Sequence, residues 1–374
     1  MRRIVPFLAI LVGLLVSSSV RGQAIVIGEY GSLTGGTATF GISTDEGLQL
    51  ALDQINAKGG VLGRPIKVVV EDDESRPEEA VTVVQKLINQ NEVVAVIGEV
   101  ASTRSLAAAP VCQKAHIPML SPSSTNPKVT QVGSYIFRAC FIDPFQGAAM
   151  ANFASNKLGM KKLAILYDVK NDYSVGLRQF FIDTITKNGG QIVADESYGE
   201  GDFDFKAQLT KIRTANPDGI YVPGYYTEVG LICRQARELG ITVPLMGGDG
   251  WDSDKTFEIG RDAVNGCYFT NHYSPDEDRP EVKAFVSAYR AKYNGKTPDA
   301  MAILGYDSMD LMADAIRRAG STKGKAIRDA LASTRDFPAA SGTITIDAHR
   351  NAQKPIVILK IENDKTTFVG SVQP

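Results

Sequence analysis

Val93-Val-Ala-Val-Ile-Gly-Glu-Val-Ala-Ser-Thr103 is the stretch that decides the fold. Its first five residues are apolar and mostly β-branched, as expected of a short strand buried on both faces. Gly98 ends the run, and Ser102 stands where a helix reaching Ala115 begins. The same strand, polar turn and helix occur upstream. A strand at 24–29 is followed by the glycine-rich turn 31–41 and a helix through Leu48, Leu52 and Ile55 that stops at Gly59-Gly60. A strand at 66–70 is followed by a helix that Pro77 opens, and strands at 117–120 and 135–139 lie downstream. Strands alternating with helices of this length imply βαβ units and parallel sheets.

The rhythm restarts after Asp143-Pro144. Helices are expected at 145–158, 173–187, 205–214 and 228–239, with strands at 163–167, 191–197, 219–222 and 244–246 between them. Three helices (280–293, 299–319, 323–334) follow Tyr273, and β-rich runs at 343–346, 356–361 and 366–369 close the chain. A chain of 374 residues is more than one core usually holds, so two domains are expected.

Residues 1–22 read as a signal peptide. Met1-Arg2-Arg3 is basic, 4–16 is apolar, and Val20 and Gly22 fit the −3 and −1 positions of a cleavage site before Gln23. No cysteine lies near that site, so the expectation is an exported, soluble protein without a lipid anchor. The net charge of −2 gives no reason to expect a nucleic-acid partner. Cys112, Cys140, Cys233 and Cys267 are widely spaced and read as buried free thiols, with a disulfide, which export permits, as the alternative. His116, His272 and His349 form no metal-ligand spacing with them, so neither metal nor cofactor is expected.

Three polar stretches directly follow apolar runs: Ala101-Ser-Thr103, Ser121-Pro-Ser-Ser-Thr125 and Gly247-Gly-Asp-Gly-Trp251. In open α/β sheets, ligands bind outside the carboxyl ends of the strands, where all three are expected. Ser102 can cap its helix while neighbouring N–H groups hold a carboxylate; Thr125 can cap a short segment at 127–132. Asp249 sits between glycines and can pair with a cation, or simply stabilise a turn. Tyr225 also follows a strand and can line the cleft. Trp251 serves either as an aromatic plate there or as ordinary core. The first two stretches suit an anion and the third a cation, which together suit a small zwitterion. No G-x-S-x-G elbow or phosphate-loop spacing is present, and nothing proposes a nucleophile with its base, so an enzyme is not expected.

Further markers are Asp53-Gln-Ile-Asn-Ala-Lys-Gly-Gly60, Asp72-Asp73 followed by Pro77, Phe137-Arg138 with Gln146-Gly147, and Gly224-Tyr225 with Arg234-Gln-Ala-Arg237. With the three stretches above, these resemble the periplasmic substrate-binding proteins of branched-chain amino acid ABC transporters. The resemblance implies a two-lobed Venus-flytrap α/β fold, each lobe a mostly parallel sheet flanked by helices, with three hinge crossovers. Lobe I would comprise 23–141 and 273–351, and lobe II 142–272 and 352–374. It implies an exported, monomeric periplasmic carrier that delivers an amino acid, aliphatic or branched-chain, to an inner-membrane ABC permease. By the same resemblance, Ser102 and Thr125 bind the ligand carboxylate, and the Ser123 carbonyl accepts from the ammonium. Asp249 stands where leucine-binding members carry Glu, Tyr173 and Tyr225 come from the second lobe, and Phe40 replaces a tyrosine. The family's lobe-I disulfide is missing, its positions being Ser75 and Ala101. Rival expectations are a binder of short amides, urea or aromatic acids with Trp251 and Phe40 as plates, a hydrolase on the same scaffold, and a ligand-sensing partner of a membrane receptor.

Overall fold

The computed structural model describes residues 22–363 and 365–374. The expected signal peptide, apart from Gly22, lies outside them. The chain builds two sheets in succession. The first holds β1 (Ile25–Gly31), β2 (Ile66–Asp72), β3 (Ala95–Ile97), β4 (Met119–Ser121) and β5 (Ile136–Arg138), all parallel in the order β2-β1-β3-β4-β5. Helices α1 (Ala38–Ala57), α2 (Pro77–Asn89), α3 (Ser102–Ala115) and α4 (Lys128–Gln131) connect them. Pro77 at the start of α2, with Glu78 and Glu79 in its first turn, supplies the preset φ and the negative charge a helix N-terminus favours.

The second unit repeats the scheme. It has α5 (Asp143–Asn156), β6 (Lys162–Asp168), α6 (Asp172–Lys187), β7 (Gln191–Tyr198), α7 (Lys206–Ala215) and β8 (Gly219–Tyr221). There follow α8 (Tyr226–Glu238), β9 (Leu245–Gly247), a 3₁₀ turn at Asp249–Trp251, α9 (Asp254–Gly260) and β10 (Tyr268–Asn271). Strand β10 was not expected from sequence. Its four residues are too few to show a period, and it is defined by pairing parallel to β9 and antiparallel to a strand near the C-terminus. The chain then returns to the first sheet as α10 (Pro280–Lys292), α11 (Ala300–Ala319), α12 (Gly324–Ala332) and the small ribbon β11 (Thr345–Ile346) with β12 (Ala352–Gln353). It finishes in the second sheet as β13 (Ile356–Glu362) and β14 (Lys365–Val372), giving the order β14-β13-β10-β9-β8-β6-β7.

The parallel parts of both sheets share one order, with the first strand flanked by the second and the third. The strand order therefore reverses between β1 and β3 in one lobe and between β6 and β8 in the other. Ligand crevices open at the carboxyl ends of strands at such reversals. Helices α1, α3, α6 and α8 start there, after β1, β3, β6 and β8, with their positive dipole ends at the junction of the lobes.

Three crossovers join the lobes: one between β5 and α5, one between β10 and α10, and one between β12 and β13. The lobes meet in a closed arrangement. At one rim the Tyr226 hydroxyl accepts from the Thr39 N–H (3.2 Å) and the Thr227 hydroxyl donates to the Gly36 carbonyl (3.0 Å). At the other, Asp172 N–H donates to the Thr103 hydroxyl (3.0 Å) and the Asn126 amide donates to the Asp172 carbonyl (2.8 Å).

Helix α11 buries fourteen of its twenty residues, so it is a core helix and not a half-exposed one. It crosses α1 at two glycines. A Cβ on Gly305 would stand 2.1 Å from the Thr44 carbonyl oxygen, and one on Gly47 would stand 1.7 Å from that of Ala302. Backbone blocks both positions, so neither can be relieved by a side-chain rotation. Gly305→Ala is therefore expected to destabilise the protein by roughly 1–3 kcal/mol through overpacking, despite alanine's better helix propensity. Urea unfolding reads this as a lowered midpoint. A midpoint at or above wild type would show that the two helices do not pack this closely.

Candidate ligand-binding site

Between the lobes lies a small cavity of about 10 Å³. That is room for roughly one water molecule, so the closed lobes must part to admit a ligand. Its polar wall is Ser123, Asp249 and Gly250; its apolar wall is Phe40, Val100, Tyr173, Tyr225 and Met301. Phe40 and Tyr225 sit in the starts of the reversal-point helices α1 and α8, and Tyr173 in that of α6. Phe40 meets Tyr225 edge to face (centroids 5.4 Å, 87°), and Tyr225 stacks on Tyr173 (5.3 Å, 18°). One aromatic wall thus spans both lobes.

Asp249 is the charged element of this cavity and is 3% exposed. Its Oδ1 accepts from the Gln146 amide (2.7 Å) and the Tyr173 hydroxyl (2.9 Å). Its Oδ2 faces His272 Nε2 (3.0 Å) and the Ser123 hydroxyl (3.4 Å). Burial is the largest influence on His272 and holds its imidazole below the usual value, against the pull of Asp249. At neutral pH the ring is then uncharged and donates from Nε2. All four donors to Asp249 are neutral.

The first lobe's end of the site is a scaffold of hydroxyls. The Glu99 carbonyl accepts from Ser121 (2.7 Å), Ser124 (2.9 Å) and Ser105 (3.1 Å), which clamps the loops after β3 and β4 together. Ser102 does not cap α3 through its side chain: the cap position is Ala101, and Ser102 Oγ instead accepts the Asn126 N–H at 3.2 Å. Used as an acceptor, that hydroxyl keeps its proton to give. Thr125 does not cap α4 either. The Asn126 side chain accepts the Lys128 N–H (3.0 Å), while Thr125 Oγ1 is buried beside the Asp143 carboxylate. The Ser102 hydroxyl and the first N–H groups of α3, which lack intrahelical acceptors, are therefore available on this side, although neither Ser102 nor Thr125 lines the cavity itself. This is the donor set a carboxylate uses.

Trp251 is not a plate of the cleft. It is 1% exposed, packs in the second-lobe core against Phe269, and donates its indole N–H to the Val222 carbonyl at 2.9 Å. Gly247 makes room for it, since a Cβ there would lie 1.9 Å from the indole nitrogen. A buried indole N–H needs an acceptor, and the end of β8 supplies one. Gln146, His272, Val100 and Met301 were not singled out as site residues from sequence. Gln146 lies within one of the markers quoted above; the other three carried no local signal.

A further buried cluster lies behind the first lobe's end of the site. Arg104 Nε is 3.2 Å from Glu99 Oε2 and 3.8 Å from Asp73 Oδ2, and Nη2 donates to the Thr37 hydroxyl at 2.8 Å. Glu99 also accepts the Ala101 N–H. Ser75, at the other position of the missing bridge, accepts the Thr37 N–H (3.2 Å) and donates to the Thr34 carbonyl (2.8 Å). The four cysteines are free and buried, Cys112 and Cys140 being pushed up to about 12 chiefly by burial.

A sheet reversal in each lobe and a closed cavity across the junction are the outline of a clamshell binding protein, and comparison with known proteins supplies the family. The family model described as "Periplasmic binding protein" matches residues 24–366. The chain belongs to that family. Among solved structures, this periplasmic binding protein is similar to the leucine-binding protein of Thermotoga maritima, with 43% identity, a TM-score of 0.90, and 94% of this chain and 99% of that one covered. It is similar also to the branched-chain amino acid transporter substrate-binding protein of Streptococcus pneumoniae in complex with isoleucine. There the identity is 38% and the TM-score 0.89, with 94% and 100% covered. An "Amino acid binding protein" of Pseudomonas aeruginosa is 36% identical over 300 residues, 79% of each chain. The two-lobed fold with parallel sheets is that of these relatives. Among the described residues, no helix is long and apolar enough to cross a membrane, and no cluster of His, Cys, Asp and Glu could hold a metal.

Proposed function

We propose that this periplasmic binding protein captures a zwitterionic amino acid with an aliphatic side chain between its lobes and delivers it to an ABC permease, without chemistry. One observation carries the reading: Asp249 is buried at the cavity wall with four donors, none of them a cation. A buried carboxylate in that position is unfavourable until a positive charge joins it. A ligand ammonium supplies that charge, and the Ser102–Thr125 side supplies donors for the ligand carboxylate. Phe40, Val100 and Met301 leave an apolar end for an aliphatic side chain. The leucine and isoleucine named for the two solved relatives have this chemistry.

Capture on the first lobe followed by closure is a population shift, since Tyr173, Tyr225 and Asp249 reach the ligand only when the lobes meet. Export through residues 1–22, a periplasmic location and a monomeric state complete the proposal. An aromatic acid fits the cavity less well. It brings no cation to Asp249, and Trp251 is not available to stack on it.

Calorimetry with L-leucine, L-isoleucine, L-valine and L-alanine tests this against 4-methylpentanoate, which lacks the ammonium, and 3-methylbutylamine, which lacks the carboxylate. At least one amino acid is expected to bind, and both truncated compounds at least a hundredfold more weakly, because each leaves buried polar groups unpaired. Equal binding of 4-methylpentanoate would remove Asp249 from the site.

A further inference from the structure

His272 follows β10 in the second crossover and is 1% exposed. Its ring stacks on Phe141 from the first crossover, with centroids 3.9 Å apart and planes 17° apart. Lys354, from the third crossover, acts on it through space. Lys354 is itself buried, hydrogen-bonded to Ser341 and 3.8 Å from Asp307. Two of the three connections between the lobes therefore meet at one imidazole, and its Nε2 lies 3.0 Å from Asp249 Oδ2. The other ring nitrogen, Nδ1, is buried without a partner. A carboxylate only accepts, so the proton on Nε2 is the one that satisfies this geometry. A second proton on Nδ1 would be a buried donor facing no acceptor, which is unfavourable.

We propose that His272 is a positioning residue of the ammonium site: as a neutral imidazole it donates from Nε2 to Asp249, fixes the carboxylate against the cavity, and ties it to the hinge. This rests on the reading that Asp249 pairs with the ligand ammonium. A neutral donor suits the task in a way that Lys or Arg would not. It orients Asp249 without cancelling the charge the ligand needs.

Acid should undo the arrangement. The charged groups facing the ring are Asp249, which favours a second proton, and Lys354, which with burial opposes it. Phe141 presents only carbon, and the Asn271 side chain accepts the His272 backbone N–H (2.9 Å). Gln146 and Tyr173 occupy the other oxygen of Asp249 and are uncharged. Once protonated, the imidazolium becomes an internal cation for Asp249 and competes with the ligand ammonium. Affinity should therefore be level near neutral pH and fall as pH drops below the ordinary histidine value of about 6.5. A free amino acid stays zwitterionic across this range, so the fall belongs to the protein.

The test is calorimetry between pH 5 and 8 with whichever of L-leucine, L-isoleucine, L-valine or L-alanine binds wild type best, on wild type, His272→Gln and His272→Phe, each first checked for a cooperative thermal transition. Gln carries a non-titrating donor on its Nε2. It is expected to hold affinity at pH 7.5 within about threefold of wild type and to lose the acid fall. Phe keeps the stack on Phe141 but no donor, and is expected to bind at least tenfold more weakly at pH 7.5, also without the acid fall. Wild-type affinity in the Phe variant, or an acid fall unchanged in both variants, would overturn the proposal. If wild type binds none of the four, the reading of Asp249 fails, and the proposal that rests on it is overturned with it. Nitrogen-15 spectra of the three histidines, with His272 assigned by its variants, give a ligand-free readout. They should show Nε2–H with a bare Nδ1 at pH 7.5, and a charged or Nδ1-protonated ring there overturns the proposal whatever binds.

Discussion

Asp249→Asn is expected to weaken binding of the preferred amino acid by roughly 30- to 3,000-fold at neutral pH. Truncating one partner of a buried, hydrogen-bonded charge pair costs about 2–5 kcal/mol, and each 1.4 kcal/mol is tenfold in affinity. Asn keeps the size of Asp and can still accept from Gln146 and Tyr173 through one oxygen. Its amide nitrogen would then replace Oδ2 and face two donors, His272 Nε2–H and the Ser123 hydroxyl. The ligand ammonium would meet a third donor where it needs a negative charge. The fold should not suffer with the binding. Without ligand, Asp249 is a buried charge with no cation; its removal relieves that cost while leaving two buried donors facing an amide nitrogen, so the thermal midpoint of the free protein should change little. Calorimetry for affinity and calorimetric melting of the ligand-free protein separate the two effects. Binding within threefold of wild type, or a clear drop in the free protein's midpoint, would mean that Asp249 serves the fold and not the ligand.

The same carboxylate shows what the sequence could tell and where it stopped. Position was legible: short apolar runs ending in Gly98, Ser121 and Gly247 place their polar followers at strand ends, and β3, β4 and β9 end there. Tyr225 and Asp249 were legible as strand-end residues and the resemblance added Phe40, Ser123 and Tyr173; these five line one cavity, whereas Ser102, Thr125 and Trp251 do not. Partnership was not legible. The donors to Asp249 come from 126, 103, 76 and 23 residues away, on four different segments, so no period or local spacing links them. Ser102 and Thr125 show a subtler failure. Both are good capping types at helix starts, but the neighbouring loop offered Ser102 the Asn126 N–H, and the Asn126 side chain, not Thr125, accepts the first N–H of α4. Trp251 stands two residues after Asp249 yet turns to the opposite side, because Gly247 leaves a slot and Val222 an acceptor. Helix and strand existence follows from local pattern; which face of a loop meets the cavity follows from long-range pairing.

Arg104→Met is expected to destabilise the protein by about 3–5 kcal/mol at pH 8, the scale for removing one partner of a buried ion pair. The Arg104 side chain is 3% exposed, and those of Asp73 and Glu99 are fully buried. It lies in the first turn of α3, where the helix dipole disfavours a cation, so its place there depends on the two carboxylates. Methionine preserves the length of the stem and much of its packing but leaves the carboxylates with no positive charge. Asp73 makes the effect pH-dependent. Burial, and then Glu99, already hold its carboxyl well above the usual range, with Arg104 pulling it down. Removing Arg104 raises it further. A carboxyl with a higher pKa folded than unfolded keeps a proton that the unfolded chain has released, so its contribution to stability falls as pH rises through that window. The window begins near the unfolded value of about 4 and extends higher in the variant than in wild type. With the wild-type Asp73 carboxyl at about 7, the stability gap between the two should therefore be constant from pH 5 to about 7 and widen by up to about 1.4 kcal/mol by pH 8. Urea unfolding at pH 5 and pH 8 measures it, and Arg104→Met with Glu99→Gln should recover part of the loss, since one carboxylate then has no like charge beside it. A gap that is the same at both pH values would show that Arg104 does not act by holding the Asp73 carboxyl ionised.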